Sequence, residues 1–155
     1  MADTSEPAEA SDPHNLNRFV QAQEKVYKKA LGEIRNGRKQ THWIWYIFPV
    51  FDGLWTSSNH KRYSIKSIAE AKAYLAHPVL GPRLRECSEA VLGVEGRSAL
   101  EIFDAPDDRK VRSCATLFAF VSPEGSVFER LIGKYYRGER GGKTLRLLEL
   151  ASEVN

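Results

Sequence analysis

His42 is the first residue of this sequence whose type and setting suit acid–base chemistry. It opens the aromatic run THWIWYIFP, residues 41–49, and Arg38 and Lys39 lie just before it. An imidazole near two cations can bind a phosphate group or exchange a proton near neutral pH. The alternative is a histidine that caps a helix or donates to a backbone carbonyl. We therefore take His42 as a candidate catalytic residue, and Arg38 and Lys39 as candidate ligand-binding residues.

The aromatic residues of the same run offer a stacking surface for a flat ligand. Aromatic faces bind bases and other planar groups, which makes Trp43 and Trp45 candidate ligand-binding residues. The competing interpretation is a hydrophobic core, and we favour it for the set as a whole. One or two of the rings are still expected to reach a cavity. The set is Trp43, Trp45, Tyr46, Phe48 and Phe51.

A second group of candidates lies in the stretch DAPDDRKVRSC. If its helix packs beside the aromatic run, Asp108 or Lys110 would face His42. Asp108 would then orient the imidazole for catalysis, and Lys110 would neutralise an anionic ligand. The alternative is an ordinary helix start with ion pairs from Asp107 to Lys110 and from Asp108 to Arg112, each worth about 0.3–0.5 kcal/mol.

Two basic segments have two interpretations each, a site for phosphates or a solvated loop. They are residues 60–67 (HKRYSIKS) and 137–143 (RGERGGK). The chain has no Walker-type glycine loop, no dinucleotide fingerprint, no Gly-x-Ser-x-Gly elbow and no zinc-like spacing. We therefore predict no metal site and no cofactor. Any activity must rest on residues that folding brings together.

Composition indicates an intracellular globular protein. The chain has 155 residues, 42% hydrophobic and 28% charged, with a net charge of +3. Residues 1–12 hold four acids and no Lys or Arg, so the remainder carries +7. We expect a disordered acidic leader over 1–12, no membrane span, a cytoplasmic location, and two buried free thiols at Cys87 and Cys114.

The elements that position the candidate residues are predicted to be helices. Residues 13–37 predict one helix, with Asp12 as its cap and Gly37 as its stop. Later helices are predicted by capping boxes at Ser67 and Ser98 and by apolar residues that recur every three or four positions. We expect about seven helices in one compact all-α domain over residues 13–155.

The aromatic run is harder to assign, because Trp, Ile, Tyr and Phe favour strands. No second strand-like run exists for it to pair with, and an isolated strand leaves its backbone groups unsatisfied. We therefore predict a short buried helix, with Thr41 as its cap and Pro49 at its end. Residues 51–64 predict a loop, with Trp55 exposed.

Residues 13–150 resemble the family catalogued as domain of unknown function 1810. The resemblance is carried by LNRFVQAQEKVY, ALGEIRNGRKQTHWIWYIFP, AYLAHPVLGPRLRECSEAVL, SALEIF and PDDRKVRSCATLF. It implies one compact, soluble α-helical domain and brings no established activity. The chain departs from the family pattern at Val50, Trp55 and Asp104. A calpastatin label carried by some members does not fit, because this sequence has no calpastatin-like repeat.

Taken together, the sequence predicts a domain that binds an anionic small molecule, such as a nucleotide or nucleotide-sugar derivative, in a partly aromatic pocket near His42. An enzymatic version would use His42 and Asp108 to hydrolyse a glycosidic or phosphoester bond. The alternative is a protein- or nucleic-acid-interaction module that uses the basic segments, with nucleic acid the less favoured partner. The sequence leaves the oligomeric state open.

Overall fold

Ten α-helices make up the regular structure of residues 12–154, the part of the chain that the computed structural model describes. They are α1 (Asn17–Gln23), α2 (Tyr27–Arg35), α3 (Ile44–Ile47), α4 (Ser58–Tyr63), α5 (Ile68–Ala76), α6 (Leu80–Leu92), α7 (Ala99–Phe103), α8 (Asp107–Phe120), α9 (Val127–Tyr135) and α10 (Gly142–Val154). Seven of them have seven residues or more. The all-α prediction is confirmed. Apart from Asp12, the predicted leader lies outside the described residues.

The first predicted helix is in fact two, α1 and α2, separated by a turn. The N–H of Val26 bonds to the carbonyl of Gln23, three residues back instead of four. Gln23 is 1% exposed, and its amide donates to the carbonyl of Tyr46 and to the hydroxyl of Tyr74. The turn therefore follows a residue fixed by tertiary hydrogen bonds, which a periodic apolar pattern does not reveal. The predicted stop is confirmed, since Gly37 adopts a φ of 80° after α2.

The aromatic run does contain a short helix, the single turn α3. The predicted cap was wrong, because no side chain caps α3 and Thr41 bonds instead to the carboxylate of Glu33. The predicted loop over residues 51–64 was also partly wrong, since it contains α4. Phe51, at the start of that stretch, forms an isolated parallel bridge with Ile65.

Serine side chains begin four of the helices. The hydroxyl of each accepts the N–H of the residue three positions later, which satisfies one of the unpaired donors of the first turn. These caps precede α4, α5, α7 and α9 and are Ser57, Ser67, Ser98 and Ser126. The capping box predicted at Ser98 is complete. At Ser67 only half of the predicted box forms, because the carboxylate of Glu70 accepts from the backbone of Lys66.

Helix α8 links the core to the surface where the candidate residues lie. It packs against α5, α7, α9 and α10. One face of α8 is fully buried through Leu117 and Phe118. Cys114 on this helix and Cys87 on α6 are both buried free thiols, as predicted. Its first half carries the charged residues described below.

Among the helices of residues 12–154, none has the length and apolar character that crossing a bilayer requires. Across the same residues, no group of three or more His, Cys, Asp or Glu side chains is arranged to hold a metal ion.

Candidate functional site

Asp107, in the first turn of α8, pairs with two lysines. Its Oδ2 lies 2.9 Å from Nζ of Lys39, and its Oδ1 lies 3.1 Å from Nζ of Lys110. The side chains of both lysines are about nine-tenths buried. The ion pair from Asp107 to Lys110, expected under the alternative interpretation of this stretch, is therefore present. One carboxylate neutralises only one of the two ammonium groups, so this trio carries a net positive charge.

Each of these lysines also lies over a tryptophan ring. Nζ of Lys39 is 5.1 Å from the ring centre of Trp43, and Nζ of Lys110 is 4.0 Å from that of Trp45. A cation over an aromatic face is attracted by the negative charge of the ring face. We call the set of Lys39, Trp43, Trp45, Asp107 and Lys110 the lysine–tryptophan cluster. It contains four of the five predicted ligand-binding residues.

Trp43 is held in the core by a residue that the sequence interpretation missed. Its Nε1 donates to Oε1 of Glu33 at 2.9 Å, and the indole is 1% exposed. The Glu33 carboxylate also accepts from the backbone N–H groups of Gln40 and Thr41 and from the Thr41 hydroxyl. Burial opposes the charge of Glu33, but these hydrogen bonds outweigh it and lower its pKa to about 2. Glu33 therefore fixes the segment that carries Lys39.

Within the described residues, no side-chain hydrogen bond or ion pair joins Arg38, His42 or Asp108 to this cluster. The side chains of His42 and Arg38 are exposed. Within residues 12–154, no hydrogen bond or ion pair joins His42 to Asp108. The carbonyl of Asp108 accepts from the hydroxyl of Tyr136, and its buried Oδ1 has no partner among the described residues. The structure thus brings together the lysines and tryptophans but not the proposed catalytic pair.

His60, on α4, is the buried histidine of this region. It is 1% exposed, and its Nε2 accepts the backbone N–H groups of Gly53 at 3.1 Å and Leu54 at 3.2 Å. An Nε2 that accepts must be unprotonated, so the proton of the neutral ring is on Nδ1. Nδ1 has no partner within the described residues. His60 therefore holds the segment that leads to Trp55.

Trp55 joins the lysine–tryptophan cluster to a cavity. Its ring is half-buried, not exposed as predicted, and it meets the rings of Trp45 and His60 edge to face. The cavity has a volume of about 290 Å³ and lies between α8 and the start of α10. Its lining residues are Leu54, Trp55, Arg109, Arg112, Ser113, Gly141, Gly142, Lys143 and Thr144. We call it the α8–α10 cavity.

The segment before α10 is bound to α8 by hydrogen bonds. The guanidinium of Arg112 donates to the carbonyls of Glu139 at 2.8 Å and Arg140 at 3.1 Å. The N–H of Gly141 donates to the hydroxyl of Thr116 at 2.9 Å. The ion pair from Asp108 to Arg112, expected under the same alternative interpretation, is not formed in the described residues, because the Arg112 guanidinium donates to these two carbonyls. These bonds place the first turn of α10 against the cavity.

Sequence interpretation treated residues 137–143 as a basic surface segment and did not identify this cavity. One local signal was available. The run Gly141-Gly142-Lys143-Thr144 stands immediately before the apolar pattern LRLLELA, where a helix has to begin. Glycine and lysine at a helix start favour contact with anions, because the backbone N–H groups there are accessible and unpaired.

Comparison with known proteins places the chain in a family. The sequence profile of the family described as protein of unknown function (DUF1810) matches residues 13–148. The crystal structure of the conserved hypothetical protein Rv1873 from Mycobacterium tuberculosis is similar, with 48% sequence identity and a TM-score of 0.88. The match covers 89% of this chain and 99% of that one. No curated protein matches the chain. The chain therefore belongs to the DUF1810 family of proteins of unknown function.

Proposed function

We propose that this chain binds an anionic small molecule, of the nucleotide or nucleotide-sugar class, in the α8–α10 cavity. The observation that carries the proposal is the charge of the lining. Arg109, Arg112 and Lys143 all border the cavity, and no acidic residue of the described chain lines it. A concave site lined by one sign of charge concentrates ligands of the opposite sign.

The cationic groups are available to a ligand. Within residues 12–154, neither Arg109 nor Lys143 has an ion-pair partner, and both are exposed. Arg112 lies 3.7 Å from a carboxylate oxygen of Glu139, which is itself largely exposed. The positive charge at the cavity is therefore only weakly compensated by the protein.

Trp55 supports a ligand with a planar group. It is the aromatic residue of the lining, and its neighbours Trp45 and His60 meet it at interplanar angles of 81° and 71°. Any of the nucleobases can stack on an indole face, because each has a π-face of its own. The volume of about 290 Å³ lies at the lower end of ligand pockets and suits a mononucleotide or a sugar phosphate.

The proposal concerns binding. Hydrolysis by His42 and Asp108 is not part of it and stays a prediction. A general acid or base must reach the reacting group directly or through one water.

Lys110 adds a further positive charge near Trp55, since its Nζ lies 5.9 Å from the Trp55 ring centre. This charge supports the same class of ligand.

A thermal-shift screen tests the proposal. Purified protein would be screened against nucleotides, nucleotide sugars, sugar phosphates and short RNA and DNA, at low and high salt. We expect stabilisation by a small anion that persists at high salt. In Arg109→Ala and Lys143→Ala the apparent affinity should fall about tenfold each, as for loss of a charged hydrogen bond. Arg38→Ala and His42→Ala serve as controls and should bind like the parent.

Other outcomes would contradict the proposal. Stabilisation that is lost in His42→Ala and kept in Lys143→Ala would place the ligand at the aromatic run. A response to oligonucleotides alone that disappears at high salt would indicate a nucleic-acid-interaction module, because counterion release makes such binding strongly salt-dependent.

A further inference from the structure

Helix α10 differs from the serine-capped helices at its first turn. Its 13 residues begin at Gly142, and the first helical backbone bond of the segment runs from the N–H of Leu145 to the carbonyl of Gly141. The N–H groups of Gly142, Lys143 and Thr144 have no acceptor within the described residues. Gly141 stands at the capping position and has no side-chain oxygen to offer them. Three donors therefore remain unpaired beside the α8–α10 cavity.

A buried hydroxyl without a partner lies at the same place. Thr144 lines the cavity and is 1% exposed, yet its Oγ1 makes no hydrogen bond within residues 12–154. Buried hydroxyls are normally paired, because an unpaired one costs free energy comparable to a lost hydrogen bond. The unpaired Oγ1 is a side-chain observation, separate from the backbone N–H groups of the same turn.

The surroundings of Gly141 are polar as well. A Cβ at this position would lie 3.6 Å from Oγ1 of Thr116, 3.6 Å from Oγ1 of Thr144 and 3.8 Å from Oγ of Ser113. Thr116 is already used, because it donates to the carbonyl of Arg112 and accepts from Gly141. Ser113 and Thr144 remain as hydroxyl donors for a bound group.

We propose that the first turn of α10 binds a phosphate group of the ligand. This inference rests on the proposed function and specifies the ligand class as a phosphate ester. The N–H groups of Gly142, Lys143 and Thr144 and the Thr144 hydroxyl donate to the phosphate oxygens. Lys143 and Arg109 balance its charge. The positive end of the helix dipole favours the same anion.

A phosphate fits this set of donors better than a carboxylate does. It offers three terminal oxygens, each able to accept more than one hydrogen bond, whereas a carboxylate offers two in a plane. A helix start with several N–H groups and a nearby lysine is a recurrent phosphate site in proteins. The cavity then extends from this turn toward Trp55, where the organic part of the ester would lie.

An NMR titration tests this inference. We would follow the amide resonances of ¹⁵N-labelled full-length protein during addition of inorganic phosphate, pyrophosphate, AMP, adenosine and acetate. We expect the Gly142, Lys143 and Thr144 resonances to shift with phosphate, pyrophosphate and AMP. Adenosine and acetate should leave these resonances near their starting positions. AMP should bind more tightly than inorganic phosphate if the base reaches Trp55.

Three variants separate the phosphate site from a purely structural role. Gly142→Asp introduces a carboxylate where a Cβ meets no atom within 4 Å. An acid at a helix start favours the helix, so the variant should be at least as stable as the parent while its phosphate affinity falls more than about tenfold. Ser152→Asp, exposed near the other end of α10, adds the same charge and should bind phosphate nearly as the parent does. Thr144→Val should weaken binding several-fold.

The outcomes distinguish this inference from the proposed function. Binding of AMP that is lost in Arg109→Ala but unchanged in Gly142→Asp would overturn the phosphate site and leave the anion-binding cavity standing. Equal shifts with acetate and phosphate would overturn the assignment to phosphate esters. Absence of binding by any tested anion to the parent protein would overturn both.

Discussion

Glu33 is a single carboxylate on which the whole segment before α3 depends. It is 9% exposed and accepts four hydrogen bonds, from the backbone of Gln40 and Thr41, from the Thr41 hydroxyl and from the Trp43 indole. A carboxylate is suited to this position because all four partners are donors. These bonds hold the residues that follow Lys39, whose own backbone N–H donates to the carbonyl of Ile102 at 2.7 Å.

Replacing Glu33 should lower the free energy of unfolding by an amount that depends on pH. In Glu33→Gln one of the two acceptor oxygens becomes an NH₂ group that faces donors, so we expect a loss of about 2–4 kcal/mol at neutral pH. The pKa of Glu33 is lowered from 4.5 to about 2, so its ionised form stabilises the fold above pH 4.5. That contribution, on the order of 3 kcal/mol, is lost as the pH falls through about 2.

Denaturant unfolding across this pH range measures the effect. The stability difference between the parent and Glu33→Gln should shrink as the pH falls below 4.5. Glu149→Gln, on the exposed face of α10, provides the control and should stay within about 0.5 kcal/mol of the parent. A difference that does not change with pH would contradict the assigned role of the charge.

At the residue scale, sequence reasoning located charges and rings better than it located their partners. It expected Asp108 or Lys110 to face His42 if their helix packed beside the aromatic run, and in the structure Nζ of Lys110 lies over Trp45 instead. It did not identify Glu33, because a glutamate on an amphipathic helix ordinarily faces solvent. It chose His42 for its type and its basic neighbours. Exposure of that side chain depends on the path of the loop, which no local pattern specifies.

At the scale of elements, α4 holds one wall of the α8–α10 cavity through His60. The backbone N–H groups of Gly53 and Leu54 donate to its Nε2, and Leu54 and Trp55 line the cavity. Burial lowers the pKa of His60 below its usual 6.5. The nearby charges of Lys66 and Lys110 also lower it, whereas Asp52 raises it.

We therefore expect the hydrogen bonds from Gly53 and Leu54 to His60 to weaken at acidic pH. A protonated Nε2 cannot accept, so the contribution of His60 to stability is fully present above pH 6.5 and is lost as the pH falls through its lower folded pKa. Hydrogen exchange at Gly53 and Leu54, corrected for the intrinsic pH dependence, should show protection that decreases as the pH is lowered below 6.5. Protection that stays constant would contradict this role.

Variants of two histidines provide the comparison. In His60→Gln an amide oxygen accepts at every pH, so the pH dependence of protection at Gly53 and Leu54 should be reduced or abolished. His42→Gln changes an exposed side chain and should reproduce the parent profile. If the pH dependence of protection in His60→Gln matched that of the parent, a group other than His60 would control the opening of Gly53 and Leu54.

The elements themselves were largely predictable, and their boundaries less so. Glycine and serine signals marked the end of α2 and the start of α7 correctly, because such caps act within a few residues. The break between α1 and α2 and the existence of α4 were missed. The break follows Gln23, whose partners Tyr46 and Tyr74 lie more than twenty residues away. Only the folded chain brings these partners to it.

At the scale of the whole molecule, α8 serves the core and the candidate site at once. Leu117 and Phe118 are fully buried, whereas Asp107, Arg109 and Arg112 border the lysine–tryptophan cluster and the cavity. The cavity combines the segment before α4, α8 and the start of α10, which are separated by tens of residues in the sequence. Sequence patterns therefore predicted the fold class, which the structure confirms. The anionic ligand stays a prediction, and no sequence pattern indicated the α8–α10 cavity.

The three tryptophans differ in their access to solvent, and this gives the protein an optical reporter of its own. Trp43 is 1% exposed, whereas Trp45 and Trp55 are half-buried and Trp55 lines the cavity. Acrylamide should therefore quench the emission of Trp55 and spare that of Trp43. A ligand in the cavity should protect Trp55 from the quencher, and this protection should vanish in Trp55→Phe. Ligand protection that survives in Trp55→Phe would indicate that the bound molecule lies against Trp45.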